Sequence, residues 1–455
     1  MSVRVWPGQA AVRRWHFYAG LLCLPFVLWL SLTGGAYLFR PQVEALIDRP
    51  YAAVATGGSP RATPAEQASA AVRAVPGSVL HRFELPETAT QAVQVIVGKG
   101  SGETRVYVHP ETLAILKTVD EDSRLMRLVF RLHGELLMGD AGSYVVELAA
   151  SWTIVMILSG LILWWPRGGG AAGVIWPRLG EGRRRMWRDL HAVTGFWVSA
   201  MTLLLLISGL PWAKSWGSYL KAVRGVVERS VVVQDWSTGH SSEVSARAVA
   251  DAGTRAMMSE HAEHAGMPMT HVAGSYASLD RIVATIAPMG LAAPVLIAPP
   301  TASGAPWTAK SDAANRPLRT DLTLDGASGA VLTRTDFGER RLIDRLVGYG
   351  VAIHEGQAFG VANLLLNLVT AIGLMLLSVS AAMLWWRRRP EGVLGAPVAP
   401  RSQPLALGFF GAVVVLALLL PLFGASAILV LAVERLVLRR MPRAQRWLGL
   451  RAAPA

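Results

Sequence analysis

One cysteine in 455 residues, Cys23, leaves this chain without a disulfide and without a cysteine-ligated metal centre. Charge is scarce as well. Asp, Glu, Lys and Arg make up 16% against 52% hydrophobic residues, too apolar a balance for an ordinary soluble protein. No Gly-x-Gly-x-x-Gly follows an expected strand, so a flavin or nicotinamide fingerprint is missing. Five stretches carry no charge at all: Phe17 to Phe39, Leu148 to Trp165, Ala192 to Ala213, Gly356 to Trp386 and Ser402 to Val433. A spanning helix needs about 20 apolar residues, and the first four stretches each predict one span. The fifth is broken by Pro421 and Gly424 and predicts a hairpin of two short spans, near 405–420 and 424–438, with one bent span as the alternative. No small-x-small cleavage site follows the first stretch, so an uncleaved span is expected there rather than a signal peptide.

The net charge of +13 invites a nucleic-acid partner, but its distribution argues against one. The N-terminus, 166–190, 387–404 and 434–455 together hold 19 Lys+Arg and 4 Asp+Glu, while the rest of the chain holds 25 and 27. This is the positive-inside asymmetry of a membrane protein. It predicts cytoplasmic N- and C-termini and two long polar segments on the other side. The expected fold is an α-helical membrane protein with a four-span core built from two parallel repeats, a C-terminal helical hairpin, and two small α+β domains outside. Along the chain this reads as N-terminus and first span (1–40), first outer domain (41–140), second span (141–166) and cytoplasmic loop (167–190). The third span (191–213), second outer domain (214–355), fourth span (356–388) and hairpin with basic tail (389–455) follow. Within the outer segments, helices are expected at Pro64–Val75 and Ser278–Ile286. Short strands should lie near Val79–Leu85, Ala92–Val97, Thr104–Val108, Pro294–Ala298, Trp307–Lys310 and Asp321–Leu324, with turns at Pro110-Glu111 and Asp325-Gly326 each followed by a last strand, to Val119 and to Arg334.

Two halves of the chain copy each other's spacing. His133-Gly134-Glu135 is followed 31 positions on by Trp164-Trp165-Pro166-Arg167, and His354-Glu355-Gly356 by Trp385-Trp386-Arg387-Arg388 at the same interval. His16-x3-Gly20 leads to Thr33-Gly34, and His191-x3-Gly195 leads to Ser208-Gly209 over an identical spacing. Four histidines therefore stand at equivalent ends of four apolar segments. His16 and His191 fall at one depth, His133 and His354 at another. Imidazole is a standard axial ligand for haem iron, and intramembrane ionisable groups default to function. The pattern predicts two haems, each held by one histidine from each half. Interfacial histidines wetted by headgroups are the plain alternative, and zinc is a weaker rival because the two levels lie most of a bilayer apart. Haem propionates call for nearby cations: Arg13, Arg14 and Arg188 on one side, Arg127, Arg131 and Arg345 on the other. Glu135 and Glu355 are candidates to orient a ligand histidine. A straight helix from His133 to Trp165 would overshoot the bilayer, so breaks are expected at Gly139–Gly142 and at Gly356 or Gly360. Small residues Gly20, Gly34, Gly195 and Gly209 would admit a close helix or a macrocycle.

The chain resembles the PepSY-associated transmembrane helix family. The resemblance rests on Arg14-Trp15-His16-Phe17-Tyr18-Ala19-Gly20 with Leu32-Thr33-Gly34, Leu132-His133-Gly134-Glu135, Leu190-His191-x3-Gly195-Phe196-Trp197, His354-Glu355-Gly356 and the Trp-Trp-Arg endings. Val106-Tyr107-Val108-His109-Pro110 is similar to the strand and turn of a PepSY unit. The resemblance covers roughly residues 10 to 390 and implies two PepSY-like periplasmic domains on a bacterial inner-membrane protein. By it, His16, His133, His191 and His354 map onto haem-ligand positions. It also implies a dihaem ferric-siderophore reductase that passes electrons outward to a periplasmic Fe(III) chelate, from a quinol, a cytoplasmic reductase or a diffusible reductant. A non-redox PepSY binding or sensor protein is the main alternative. The segment Met257-Met258-x2-His261-x2-His264-x2-Met267-x-Met269-x-His271 leaves a copper-linked relay open.

Overall fold

A computed structural model describes residues 8–165, 172–228, 246, 247, 249, 276–302, 304–397 and 407–450. The elements begin with α1 (Gln9–Tyr37), α2 (Arg40–Ala52), α3 (Pro64–Ala74), β1 (Val79–Leu85), β2 (Val93–Lys99), β3 (Gly102–Val108) and β4 (Ile115–Asp120). Next come α4 (Leu125–Glu135), α5 (Asp140–Trp164), α6 (Arg183–Gly209), α7 (Lys214–Glu228) and α8 (Ala277–Ile286). The remainder is β5 (Val295–Ala298), β6 (Trp307–Ser311), β7 (Thr320–Leu324), β8 (Val331–Asp336), α9 (Leu342–His354), α10 (Val361–Arg388), α11 (Leu407–Leu419), α12 (Pro421–Leu436) and α13 (Pro442–Leu448). These fall into two compact units. A helical unit comprises Met1–Leu38, Val129–Asp235 and Phe359–Ala455; a sheet unit comprises Phe39–Leu128 and Trp236–Ala358.

Among the described residues of the helical unit, five helices are long and apolar enough to cross a membrane: Gln9–Tyr37, Asp140–Trp164, Arg183–Trp212, Val361–Arg388 and Pro421–Arg440. Their hydroxyl side chains bond back to their own helix, as Ser31 does to the Val27 carbonyl, Thr153 to Ala149 and Thr202 to Val198. No hydroxyl in these three is then left unpaired in an apolar medium. The two expected breaks are present and alike. Gly139 precedes α5 at φ 59, ψ −136, and Gly360 precedes α10 at φ 58, ψ −140. At such positive φ a glycine carries no steric penalty, so the apolar run ends in a corner and the preceding histidine sits on a separate short helix. The C-terminal break lies at Leu420 (φ −125, ψ 81), directly before Pro421. Gly424, expected at the break, is inside α12 instead, where a side chain would strike the Ala417 carbonyl oxygen at 2.9 Å. The tip lies beside Trp216, whose Nε1 donates to the Leu419 carbonyl at 3.0 Å. The tail returns to α1, where Arg14 donates to Gly449. The segment therefore folds back as a hairpin.

The sheet unit corrects the expectation of two separate outer domains. All eight strands form one antiparallel sheet in the order β4-β3-β2-β1-β5-β6-β7-β8. The join is β1 against β5, with Phe83 opposite Ile297 and Leu85 opposite Val295. Each half-sheet alone would expose an apolar edge strand, and pairing the two edges removes that liability. The helix expected at 64–75 forms because Thr63 and Glu66 make a capping box and Pro64 occupies the first turn. α3 and α8 cover one face of the sheet. Ala68, Ala71, Leu80, Phe83, Val95, Ile282, Ile297 and Leu322 are fully or almost fully buried in the shared core. Asp280 on α8 caps α3 by accepting from Ala65 N–H at 2.8 Å. The boundaries also shift: α7 and most of α4 belong to the helical unit rather than to the outer segments. The His/Met-rich segment 257–271 lies outside the described residues.

Candidate functional site

His16, on α1, turns its ring toward α5. Its Nδ1 lies 3.1 Å from the Met156 carbonyl oxygen and 3.0 Å from Ser159 Oγ. A carbonyl only accepts, and the Ser159 hydroxyl already donates to that same carbonyl at 2.9 Å. Nδ1 must therefore carry the proton, which leaves the lone pair on Nε2. Among the described residues no hydrogen bond reaches that nitrogen.

His191, on α6, has the same arrangement toward α10. Nδ1 is 3.3 Å from the Leu377 carbonyl and 3.3 Å from Ser380 Oγ, and Ser380 donates to Leu377 at 2.8 Å. Met156 to Leu377 and Ser159 to Ser380 are both 221 positions, the interval from His133 to His354. The His16 and His191 imidazoles lie close enough to act on each other electrostatically.

His133, on α4, follows the same chemistry with a different partner. Its Nδ1 is 3.0 Å from Thr33 Oγ1 on α1, and the Thr33 hydroxyl donates to the Trp29 carbonyl at 2.9 Å. The hydroxyl accordingly accepts from Nδ1, and Nε2 again holds the lone pair. His354 is the last residue of α9 and belongs to the sheet unit, so the helical unit contains three of the four predicted ligands.

Glycines make the room these rings occupy. A Cβ on Gly160 would stand 3.1 Å from His16 Cε1, and one on Gly34 would stand 3.0 Å from His133 Cε1. Gly34 was expected to admit a close neighbour, and that neighbour is the histidine itself. Gly20 and Gly195 face Met156 Sδ at 3.7 Å and Leu377 Cδ1 at 3.3 Å, so they serve helix packing.

Four of the six predicted cations have other partners. Arg14 Nη1 donates to the Gly449 carbonyl at 2.7 Å and to Pro397 at 3.0 Å, which ties the C-terminal tail to α1. Arg131 Nε lies 3.8 Å from Glu135 one turn on. Arg127 meets Asp122, and Arg188 meets the fully buried Asp189. Arg178 grips Asp189 at 2.7 Å, so the loop before α6 is pinned just before His191. Glu355, in the sheet unit, is desolvated, which raises its pKa; Arg316, Arg40 and Arg319 pull the other way. Sequence reasoning missed Ser159, Ser380 and Gly160. The repeat interval between His133 and His354, carried to Ser159 and Ser380, would have found the two serines.

An imidazole anchored through Nδ1–H and presenting Nε2 has the tautomer and orientation that an axial ligand to haem iron requires. Among the described residues no three His, Cys, Asp or Glu side chains converge on one point, so the set that structural zinc wants is missing there. The donor set fits haem. Residues 13–388 match the family described as the PepSY-associated TM region, and the match takes in all four histidines. No curated protein matches the chain. With most of its length under that match, and with five helices among the described residues long and apolar enough to cross a membrane, the chain is a membrane protein of the PepSY-associated transmembrane family.

Proposed function

We propose that this protein is a dihaem electron relay of the bacterial inner membrane that reduces a periplasmic Fe(III) chelate, a ferric-siderophore reductase by activity. His16 and His191 would hold one b-type haem, and His133 and His354 the other. The observation that carries this reading is the repeated Nδ1 clamp on His16 and His191, a carbonyl and a serine at matching positions of α5 and α10. When bound, haem supplies a reversible one-electron couple.

The residues do the rest. Ser159 with Met156, and Ser380 with Leu377, fix the tautomer and raise the basicity of Nε2. Thr33 does this for His133. Gly34 and Gly160 keep the rings from being pushed aside. At the outer side, a chelated Fe(III) gains one electron, and the Fe(II) formed is held less tightly by hard oxygen donors and leaves. The sequence offers no flavin or nicotinamide site, so the electron is supplied by a quinol or by a cytoplasmic reductase.

Matching intervals support two parallel repeats. His16 to His191 equals Thr33 to Ser208, and Ser159 to Ser380 equals Gly139 to Gly360. In that arrangement both chain ends are cytoplasmic. The purified protein should show a Soret band and a dithionite-reducible b-type spectrum with two haems per chain. His191→Ala should remove one haem and stop electron transfer while the second spectrum persists. A colourless, folded, iron-free preparation would refute the relay and favour a membrane-anchored binding protein.

A further inference from the structure

α7 begins at Lys214, shortly after the third span ends at Trp212. Its first turn is fixed from three sides. Ser143 Oγ accepts from Lys214 N–H at 3.2 Å, and Glu147 Oε2 accepts from Ser215 N–H at 2.9 Å and Trp216 N–H at 3.2 Å. The Lys214 ammonium meets Asp140 at 2.9 Å, and the Trp216 indole donates to Leu419 at the hairpin tip. The helix is thereby held in one rotation about its axis.

At about 100° per residue, three sectors follow around that axis. Gly217 and Arg224 are buried against the protein. Lys214, Ser218 and Lys221 form an exposed polar sector. The third sector is apolar and exposed: Tyr219, Ala222, Val223 and Val226, spaced i, i+3, i+4, i+7, with Tyr219 and Val223 each 42% and Val226 80% accessible. A helix packed on a protein in water needs only two sectors, one buried and one polar. A third, apolar sector between them needs a third medium. That medium is at hand, because α6 presents exposed Leu204 and Ile207 in the turns before α7 begins.

We infer that α7 lies along the membrane surface with Tyr219, Ala222, Val223 and Val226 in the acyl region of the leaflet where α6 ends. Lys221 extends to headgroup phosphates while Lys214 stays with Asp140, and the Tyr219 hydroxyl sits at the interface.

The test uses the full-length protein in nanodiscs of phosphatidylcholine and phosphatidylglycerol. With Cys23→Ala as background, single nitroxide labels are placed at Ala222, Val223 and Val226 and, for comparison, at Ser218 and Lys221. Labels on the apolar sector should be open to dissolved oxygen and shielded from a water-soluble nickel chelate, and labels on the polar sector should show the reverse. Equal nickel access in both sectors would place α7 in water and overturn the inference. So would shielding of the apolar sector from both reagents, since a protein surface, from this chain or a second copy, would then cover it. Three apolar-sector positions keep the test decisive if one variant fails to fold.

Discussion

Two histidine rings in the helical unit lie directly against a glycine, and that contact permits a graded experiment. At Gly160 an added Cβ would meet His16 Cε1 at 3.1 Å. Carbon atoms prefer roughly 3.5–4.0 Å, so the ring must retreat by about 0.4 Å to reach the near edge of that range. The second half of the chain already contains this change: 221 positions on stands Ala381, and the Nδ1 contacts of His191 are 3.3 and 3.3 Å where those of His16 are 3.1 and 3.0 Å. Gly160→Ala should therefore convert the His16 clamp into one like that of His191, with haem retained and its affinity lowered only a few-fold. Gly160→Leu cannot be absorbed by so small a shift. Overpacking of this kind costs about 1–3 kcal/mol, or roughly 5- to 150-fold in occupancy of the ligating position. Gly34→Leu should do the same at His133, where the contact is 3.0 Å, and Gly20→Ala, facing only Met156 Sδ at 3.7 Å, should do nothing. The assay is haem per chain by pyridine haemochrome, with low-temperature spectra to separate the two components and a melting curve to confirm folding. Gly160 variants should erode one component and Gly34 variants the other. A Gly160→Leu protein that keeps both haems at full occupancy would show that the His16 ring is not an iron ligand.

Three further outcomes follow from contacts outside the histidines. Glu147 accepts two backbone N–H bonds at the start of α7; its replacement by Ala should cost about 1–3 kcal/mol. Amides of residues 215–218 should then exchange roughly 5- to 150-fold faster, with Gln intermediate, and unchanged exchange would refute the cap. Asp189, fully buried between Arg178 and Arg188, should on change to Asn release the 172–182 loop, read as faster tryptic cleavage at Arg178; unchanged cleavage would refute the clamp. His81 is fully buried in the sheet unit, with Nδ1 accepting from Arg247 and Nε2 facing Glu103 at 2.9 Å. Desolvation, with Arg82 and Arg247 nearby, lowers its pKa below the ordinary 6.5 despite Glu103. The unfolded chain then takes up a proton below pH 6.5 that the folded chain refuses. Its contribution is complete above that pH and declines below it, by at most about 1.4 kcal/mol per pH unit. Protection factors of β1 and β2 amides, which divide out the pH dependence of intrinsic exchange, should fall between pH 7 and pH 5 in the wild type and less so in His81→Gln; an equal fall would remove His81 as the cause.

Much of this molecule was legible because its signals are local. Long charge-free runs marked the apolar helices α1, α5, α6 and α10. Alternation between Val79 and Val119 gave the strands of the first half-sheet, and Thr63-Pro64 with Glu66 marked the start of α3. The four-histidine pattern was legible because it repeats at fixed intervals. The misses share a physical cause: each depends on a partner far away in sequence. Nothing in Val79–Leu85 says that its free edge will be closed by Val295–Ala298, much later in the chain, rather than by solvent. Arg14 reads as a cation awaiting a propionate, yet its donors reach carbonyls at Pro397 and Gly449, in a tail beyond the family match. Ser159 and Ser380 read as ordinary helix serines, because a hydroxyl in a span normally closes on its own backbone. Both do so here, to Met156 and Leu377, and that bond is what turns their lone pairs toward the imidazoles. A serine that has spent its proton on its own helix can act only as an acceptor toward a neighbour. That constraint, rather than proximity alone, fixes which nitrogen of His16 and His191 is left to bind a metal.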